Sequence, residues 1–238
     1  MKISKKTLLT TVLIVLMIPL IIIAGLKLGT RYYYLTSVVI MLLSMLPFFV
    51  SFENRRPEAR EMVVLAVMIA IAVISRSLFI AFPAFKPMTG LIIITAMAFG
   101  PQAGFMVGAM SAFVSNFVFG QGPWTPWQMF AYGLAGFLTG LFMELGLLKK
   151  QKKWPVVIYG GLLVLCVIGP FLDMSTLFLT MAMPASHSAS VVLASGLPYN
   201  AVHAAATVVV LIFLYRPIME KLERIKIKYG MMEAGREV

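Results

Sequence analysis

Charge is scarce in this chain, acid is scarcer, and cysteine is all but missing. Charged residues make up 12% of the 238, about half the share of an ordinary soluble domain. That excludes a globule dressed for water on every side and makes each apolar run a candidate membrane span. A single cysteine, Cys166, excludes an intrachain disulfide and a thiolate metal cluster; within an apolar run it is expected to be a small buried hydrophobe. Also missing are a G-x-x-x-x-G-K-[ST] phosphate loop and an H-E-x-x-H zinc motif. Any ATP hydrolysis therefore has to come from other chains, and neither metal nor cofactor is expected. No repeat of fixed period and no low-complexity tract interrupts the sequence.

Hydrophobic residues, by contrast, make up 61%. A helix needs about 20 mainly apolar residues to cross a bilayer. Runs near that length occupy residues 7–26, 32–52, 61–82, 102–119, 126–148, 155–173 and 197–216, with a shorter one at 88–100. The expected fold is all-α, a polytopic membrane protein with eight spans. MKISKK ahead of the first run looks like the start of a signal peptide. Yet the run is as long as a full span and no A-x-A-like cleavage site follows in GLKLGTRYYY, so it is read as an anchor.

Lysine and arginine are retained on the cytoplasmic side of a membrane. With both termini cytoplasmic, 16 of the 20 basic residues lie inside, and only Lys27, Arg31, Arg76 and Lys86 fall toward the outer face. The net charge of +11 thus reflects clusters at helix ends that meet anionic lipid; no nucleic acid is needed to explain it.

The texture changes after SFENRRPEARE. Residues 1–55 read as a two-helix appendage of Leu, Ile, Val and Met, with Tyr32, Tyr33 and Tyr34 at the outer aromatic belt. Residues 56–228 read as a six-helix core with small and polar residues at helical spacing, and 229–238 as a cytoplasmic tail. Small residues let membrane helices approach closely. Gly104, Gly108 and Ala112, and on the next span Gly133, Gly136 and Gly140, are expected to pack within the molecule. Ala66 and Ala70 share one face that could meet either the bundle or another membrane protein. The 88–100 segment holds 13 residues between Pro87 and Pro101, about 20 Å of helix, short of a hydrocarbon core of about 30 Å. Its outer end must lie in a recess covered by protein.

Polar groups gather at the outer ends. FGQGPWTPWQMFAYG, residues 119–133, is not expected to be helical throughout, since Pro123 and Pro126 break it and Gly120 and Gly122 permit turns. Trp124 and Trp127 suit a membrane interface, but Asn116, Gln121, Gln128 and Tyr132 crowd around them. Arg76 lies about four residues inside its span, a costly depth for a charge. Phe85 and Lys86 follow in the next loop. Asp173 closes the 155–173 span, and Asn200, His203 and Thr207 share a face of the last, which opens with Pro198. Each has a plainer role: Arg76 snorkelling, His203 packing, Asp173 capping or pairing with Arg76. Together they describe an apolar, aromatic pocket with convergent polar groups, which is how small-molecule sites look. The inner halves carry Glu144 but no train of ionisable groups of the kind ion-coupled carriers place near the midplane. The result is a bowl without an exit.

The stretches KPMTGLIIITAMAFGPQAGFMVGAMSAFVSNFVFGQGPWTPWQMFAYGLAGFLTG and PYNAVHAAATVVVLIFLYRPIMEKLERIKIKYG, within 56–228, resemble the substrate-binding S components of energy-coupling factor (ECF) transporters, vitamin importers of prokaryotes. The resemblance implies a multi-pass protein of the cell membrane that captures a vitamin or related micronutrient at the outer face. It implies a cavity closed by FPAFKP, 82–87, and by the long segment 179–196, where His187 sits among serines. Delivery would then run through a coupling transmembrane subunit driven by two cytoplasmic ATPases, with Ala66 and Ala70, in AVMIA, as the A-x-x-x-A surface that meets the coupling subunit. The two N-terminal helices lie outside the family's usual core. Aromatics and amides suit a flat heterocycle through stacking and edge hydrogen bonds; within the family a cobalamin-type cargo is expected first and a riboflavin-like one next.

Two rival readings compete with it. LASG, 193–196, faintly resembles the nucleophile motif of rhomboid proteases, but Ser195 and His203 would stand ~12 Å apart along a helix, beyond the hydrogen-bond reach a Ser–His pair needs. A stand-alone facilitator would use the same binding residues without ATPases.

Overall fold

The computed structural model describes residues 58–82, 84–180 and 189–230, together with 42, 45, 46, 48–50, 52 and 53. The expectations for 7–26, for Tyr32, Tyr33 and Tyr34, for His187 and for 231–238 fall outside the described residues. Among those described, regular structure is helix throughout, as the apolar runs demand. The elements are α1 (Ala59–Ser77), α2 (Met88–Phe99), α3 (Pro101–Phe119), α4 (Trp124–Glu144), α5 (Lys153–Leu163), α6 (Gly169–Thr180) and α7 (Ala189–Tyr229). A single wide π turn, Val164–Ile168, joins α5 to α6 without a break, so the described core consists of six rods.

Three rods, Pro101–Phe119, Lys153–Thr176 and Ala189–Tyr229, are long and apolar enough to cross a membrane. α1 carries Arg60, Glu61 and Arg76, and α4 is diluted by Gly, Thr, Trp and Gln, which leaves both less apolar than a plain span. α2 is too short.

The structure departs from the sequence reading where proline is taken as a stop. α4 begins at Trp124, with Pro126 in its first turn, where backbone N–H groups have no intrahelical acceptor to lose. Trp124 and Trp127 are therefore both helical. α7 runs through Pro198 and Pro217 instead of spanning 197–216, so 189–196 is helix and not loop. α6 continues past Asp173 to Thr180, and α1 ends at Ser77, which puts Arg76 in its last turn. Neighbouring helices compensate for the backbone groups a proline frees inside a membrane bundle. Cys166 is exposed, not buried, because in a membrane rod an apolar side chain suits the lipid face as well as the core.

α2 is the centre of the core. All twelve of its residues are buried, and it packs against α1, α3, α4 and α7. At 1.5 Å per residue it is about 18 Å long, and protein covers its N-terminal end, as that shortness requires. Gly100, at φ 88°, turns the chain out of α2 and into α3.

Helices α3 and α4 then lie backbone against backbone. A Cβ on Gly136 would strike the Gly104 carbonyl, one on Gly108 the Tyr132 carbonyl, and one on Gly140 the start of α3 at Pro101. The two glycine stripes thus pack inside the molecule. The described residues before 54 are helical, and they dock on this pair: Phe48 stacks on Phe105 with 3.8 Å between ring centroids and meets Phe137 edge-on at 5.2 Å.

Gly108→Val and Gly136→Leu each force carbon into a facing backbone, and each is expected to destabilise the protein by at least about 1–3 kcal/mol. Gly161→Ala, whose Cβ meets only a Val208 side-chain methyl at 3.1 Å, should cost far less. Thermal unfolding of detergent-solubilised protein checks this; equal melting temperatures for the three variants would refute the close backbone packing.

Candidate functional site

Two adjoining cavities, of about 290 and 540 Å³, open at the end of the bundle where α2 begins. Lys86, Trp124 and Gln128 line both, so the two form one bowl. Arg76, Phe79, Phe82, Phe85, Asn116 and Phe119 complete the smaller chamber. Asp173, Ser175, Thr176, Tyr199, Asn200 and His203 line the larger.

The wall on the α1–α3–α4 side is built around the turn between α3 and α4. Gly120 turns the chain at φ 98°, and Gly122 has no side chain because the Trp124 indole occupies that space. Thr125 Oγ1 accepts from the Gly122 N–H and from Asn116 Nδ2, both at 3.1 Å, and donates to Gln121 Oε1 at 2.9 Å. Asn116 is the hub. Its Nδ2 also donates to Gln128 Oε1 at 2.9 Å, and its Oδ1 accepts from Arg76 Nη1 at 3.1 Å, a nitrogen that donates to Ser115 Oγ as well. Three helices are thereby tied together by side chains that line the bowl. The Arg76 guanidinium carbon lies 4.3 Å from the Phe119 ring centroid, close enough for a cation–π attraction. At 6% exposure Arg76 is embedded in the wall and does not snorkel to the surface.

The opposite wall is formed by α6 and α7. Gly169 lies against the Asn200 side chain and Gly196 against Asp173. Glycine and polar residue are four apart on each helix, so the antiparallel rods interlock. Asn200 Nδ2 donates to Asp173 Oδ2 at 2.7 Å, which makes Asn200, not Arg76, the partner of Asp173. The π turn ends one residue before Gly169, and such turns often mark functional sites. At the floor, His203 Nε2 lies 2.7 Å from Thr89 Oγ1, which pins α7 to the first turn of α2.

Nine of the residues singled out from the sequence line the bowl: Arg76, Phe85, Lys86, Asn116, Trp124, Gln128, Asp173, Asn200 and His203. Others do not. Gln121 is exposed outside it and donates to the Phe113 carbonyl. Trp127, 2% exposed, packs in the core beside Phe171 at 5.6 Å. Tyr132 is buried next to His203, 6.1 Å between ring centroids. Ser195 donates to the Val192 carbonyl on the same helix as His203, two turns away, and makes no Ser–His pair. Sequence reasoning missed Phe79, Ile80, Phe119, Leu172, Ser175, Thr176 and Tyr199. The available signal was position: each lies within a helical turn of a residue already marked.

A family described as "ECF-type riboflavin transporter, S component" matches residues 57–220, which include α1 to α6 and most of α7. No curated protein and no solved structure gives a match. The open bowl, the polar groups converging on it and a family match over more than half of the sequence agree: the chain belongs to the S components of ECF-type transporters, as a membrane-embedded, substrate-specific subunit for a vitamin.

Proposed function

We propose that the bowl captures a flat heterocyclic vitamin, a flavin first, at the outer face of the membrane, and that the cargo passes on through a coupling transmembrane subunit driven by two partner ATPases. The observation that carries this reading is the shared lining of the two chambers by Lys86, Trp124 and Gln128 above a helix buried along its whole length. It gives a receptacle that is open at one end and filled with side chains below.

The family's description favours riboflavin, and the chemistry of the wall agrees. Trp124, Phe85 and Phe119 offer ring faces for stacking. Gln128 uses its carbonyl on Asn116 and Asn200 uses its amide nitrogen on Asp173, which leaves a donor on one and an acceptor on the other for the edge of a heterocycle. The cobalamin expectation gives way to riboflavin on the family's description, and chambers of about 290 and 540 Å³ suit a ligand of flavin size. Orientation follows from charge. Lys149, Lys150 and Lys152, between α4 and α5, and Lys153, which opens α5, lie at the end opposite the bowl, and that end is cytoplasmic by the retention of basic residues. Ala66 and Ala70 are exposed on α1 beside the exposed Val63, Val67 and Ile71, a smooth face suited to close approach by a coupling subunit.

Saturable riboflavin binding is expected, measured by quenching of flavin or tryptophan fluorescence. Trp124→Ala and Gln128→Ala should each weaken it by at least about 1 kcal/mol, roughly fivefold, whereas Trp127→Ala should lower thermal stability more than affinity. Absence of riboflavin binding, with another compound found by mass spectrometry in protein purified from rich medium, would overturn the flavin assignment. Ala66→Trp and Ala70→Trp should abolish vitamin uptake by cells and leave binding by the purified protein intact; uptake at the normal rate would contradict docking through this face.

A further inference from the structure

The charges around the bowl do not balance. The chain has nine acidic residues; seven are among the described residues, and six of those lie at its other end. Glu53, Glu58 and Glu61 precede or open α1, Glu144 closes α4, and Glu220 and Glu223 lie on the far half of α7. Along α1 alone, the 15 residues from Glu61 to Arg76 amount to about 22 Å, too far to pair. Among the described residues Asp173 is the one acid at the bowl, and it is hydrogen-bonded to Asn200. Against it stand Arg76 and Lys86, both lining the cavities.

Among the described residues Arg76 has no carboxylate partner, whereas Lys86, which makes no close ion pair there, lines the larger chamber within electrostatic reach of Asp173. Arg76 is almost fully buried and its hydrogen bonds leave from Nη1 to two neutral side chains, Ser115 and Asn116. A buried, unneutralised guanidinium at membrane depth is costly. Its planar fork matches a carboxylate or a phosphate, and Lys86 lies on the same cavity wall as a second point charge.

We propose that the cargo carries an anionic group, a carboxylate or a phosphate, that seats in the smaller chamber between Arg76 and Lys86, with its ring system toward Trp124 and the larger chamber. This rests on the reading of the bowl as the cargo site and adds the charge of what enters it. Asn116 acts here as a positioning residue, holding Nη1 so that the rest of the guanidinium faces the cavity. Phe79 and Phe85, 4.6 Å apart between ring centroids, line the same chamber and limit the water that competes for the anion.

Riboflavin and riboflavin 5′-phosphate, which share a ring and differ by one dianionic group, make the test. The full-length protein in detergent should bind the phosphate ester about tenfold or more tighter than riboflavin at low salt, and high salt should erode that preference while leaving riboflavin affinity nearly unchanged. Lys86→Gln and Arg76→Gln should bring the ratio of the two affinities toward one. A merely structural arginine would weaken both ligands alike and leave the ratio unmoved. Equal binding of the two flavins by the unaltered protein, or a ratio unaffected by both substitutions, overturns the anion site and leaves the flavin assignment standing. Binding of neither flavin overturns the flavin assignment. The charge of the compound that co-purifies then decides the anion site, an acid supporting it and a neutral or cationic compound refuting it.

Discussion

A helix of twelve residues cannot cross a bilayer, and the arrangement of this molecule follows from that shortfall. α2 reaches about 18 Å where about 30 Å is needed, so the missing length has to be occupied by something other than lipid. α1, α3, α4 and α7 surround α2 and bury every one of its residues. Above its first turn the space is left as a bowl. The floor is made where Thr89 of α2 meets His203 of α7, and the lip is made by the residues that lead into α2, Phe85 and Lys86, together with the turn into α4. Below this cavity α3 and α4 lie in close backbone contact through Gly104, Gly108, Gly136 and Gly140.

The same constraint sorts the charges. Among the described residues, the lysines between α4 and α5 and every acid but Asp173 lie at the end away from the bowl, where headgroups of an anionic membrane attract basic clusters. At the bowl end only Arg76, Lys86 and Asp173 line the cavities as charged groups. Two of them are placed by neutral polar neighbours: Asn116 and Ser115 hold Arg76, and Asn200 holds Asp173. A wall built this way is polar where a cargo needs recognition and apolar where the bilayer needs hydrocarbon.

Much of this was legible in the sequence, and the parts that were not share a cause. The span of α2, the glycine stripes of α3 and α4, the common face of Asn200 and His203 and most of the polar lining follow from spacing alone, because helical period and apolarity are enforced everywhere in a membrane. The ends of α4 and α7 do not follow, because Pro126, Pro198 and Pro217 act as stops only where nothing else holds the helix. Trp127 and Tyr132 look like the other polar-tipped aromatics in sequence but turn into the core, since the angle at which α4 starts decides which side of it faces the cavity. Cys166 shows the same limit: apolarity in a membrane protein says nothing about which way a side chain points. The Asp173–Asn200 pair depends on the register between α6 and α7, which two glycines set at long range.

The central claim is that the space above α2 is where the vitamin sits. The most direct measurement is an experimental structure of the full-length protein with riboflavin bound. The account predicts density for the ring between Trp124 and the Asn200 side of the bowl, within hydrogen-bond distance of Gln128, and no ligand along the lipid-facing sides of the rods. Density in the groove beside Tyr215 and Arg216 at the opposite end, with the chambers around Lys86 collapsed or empty, would contradict it.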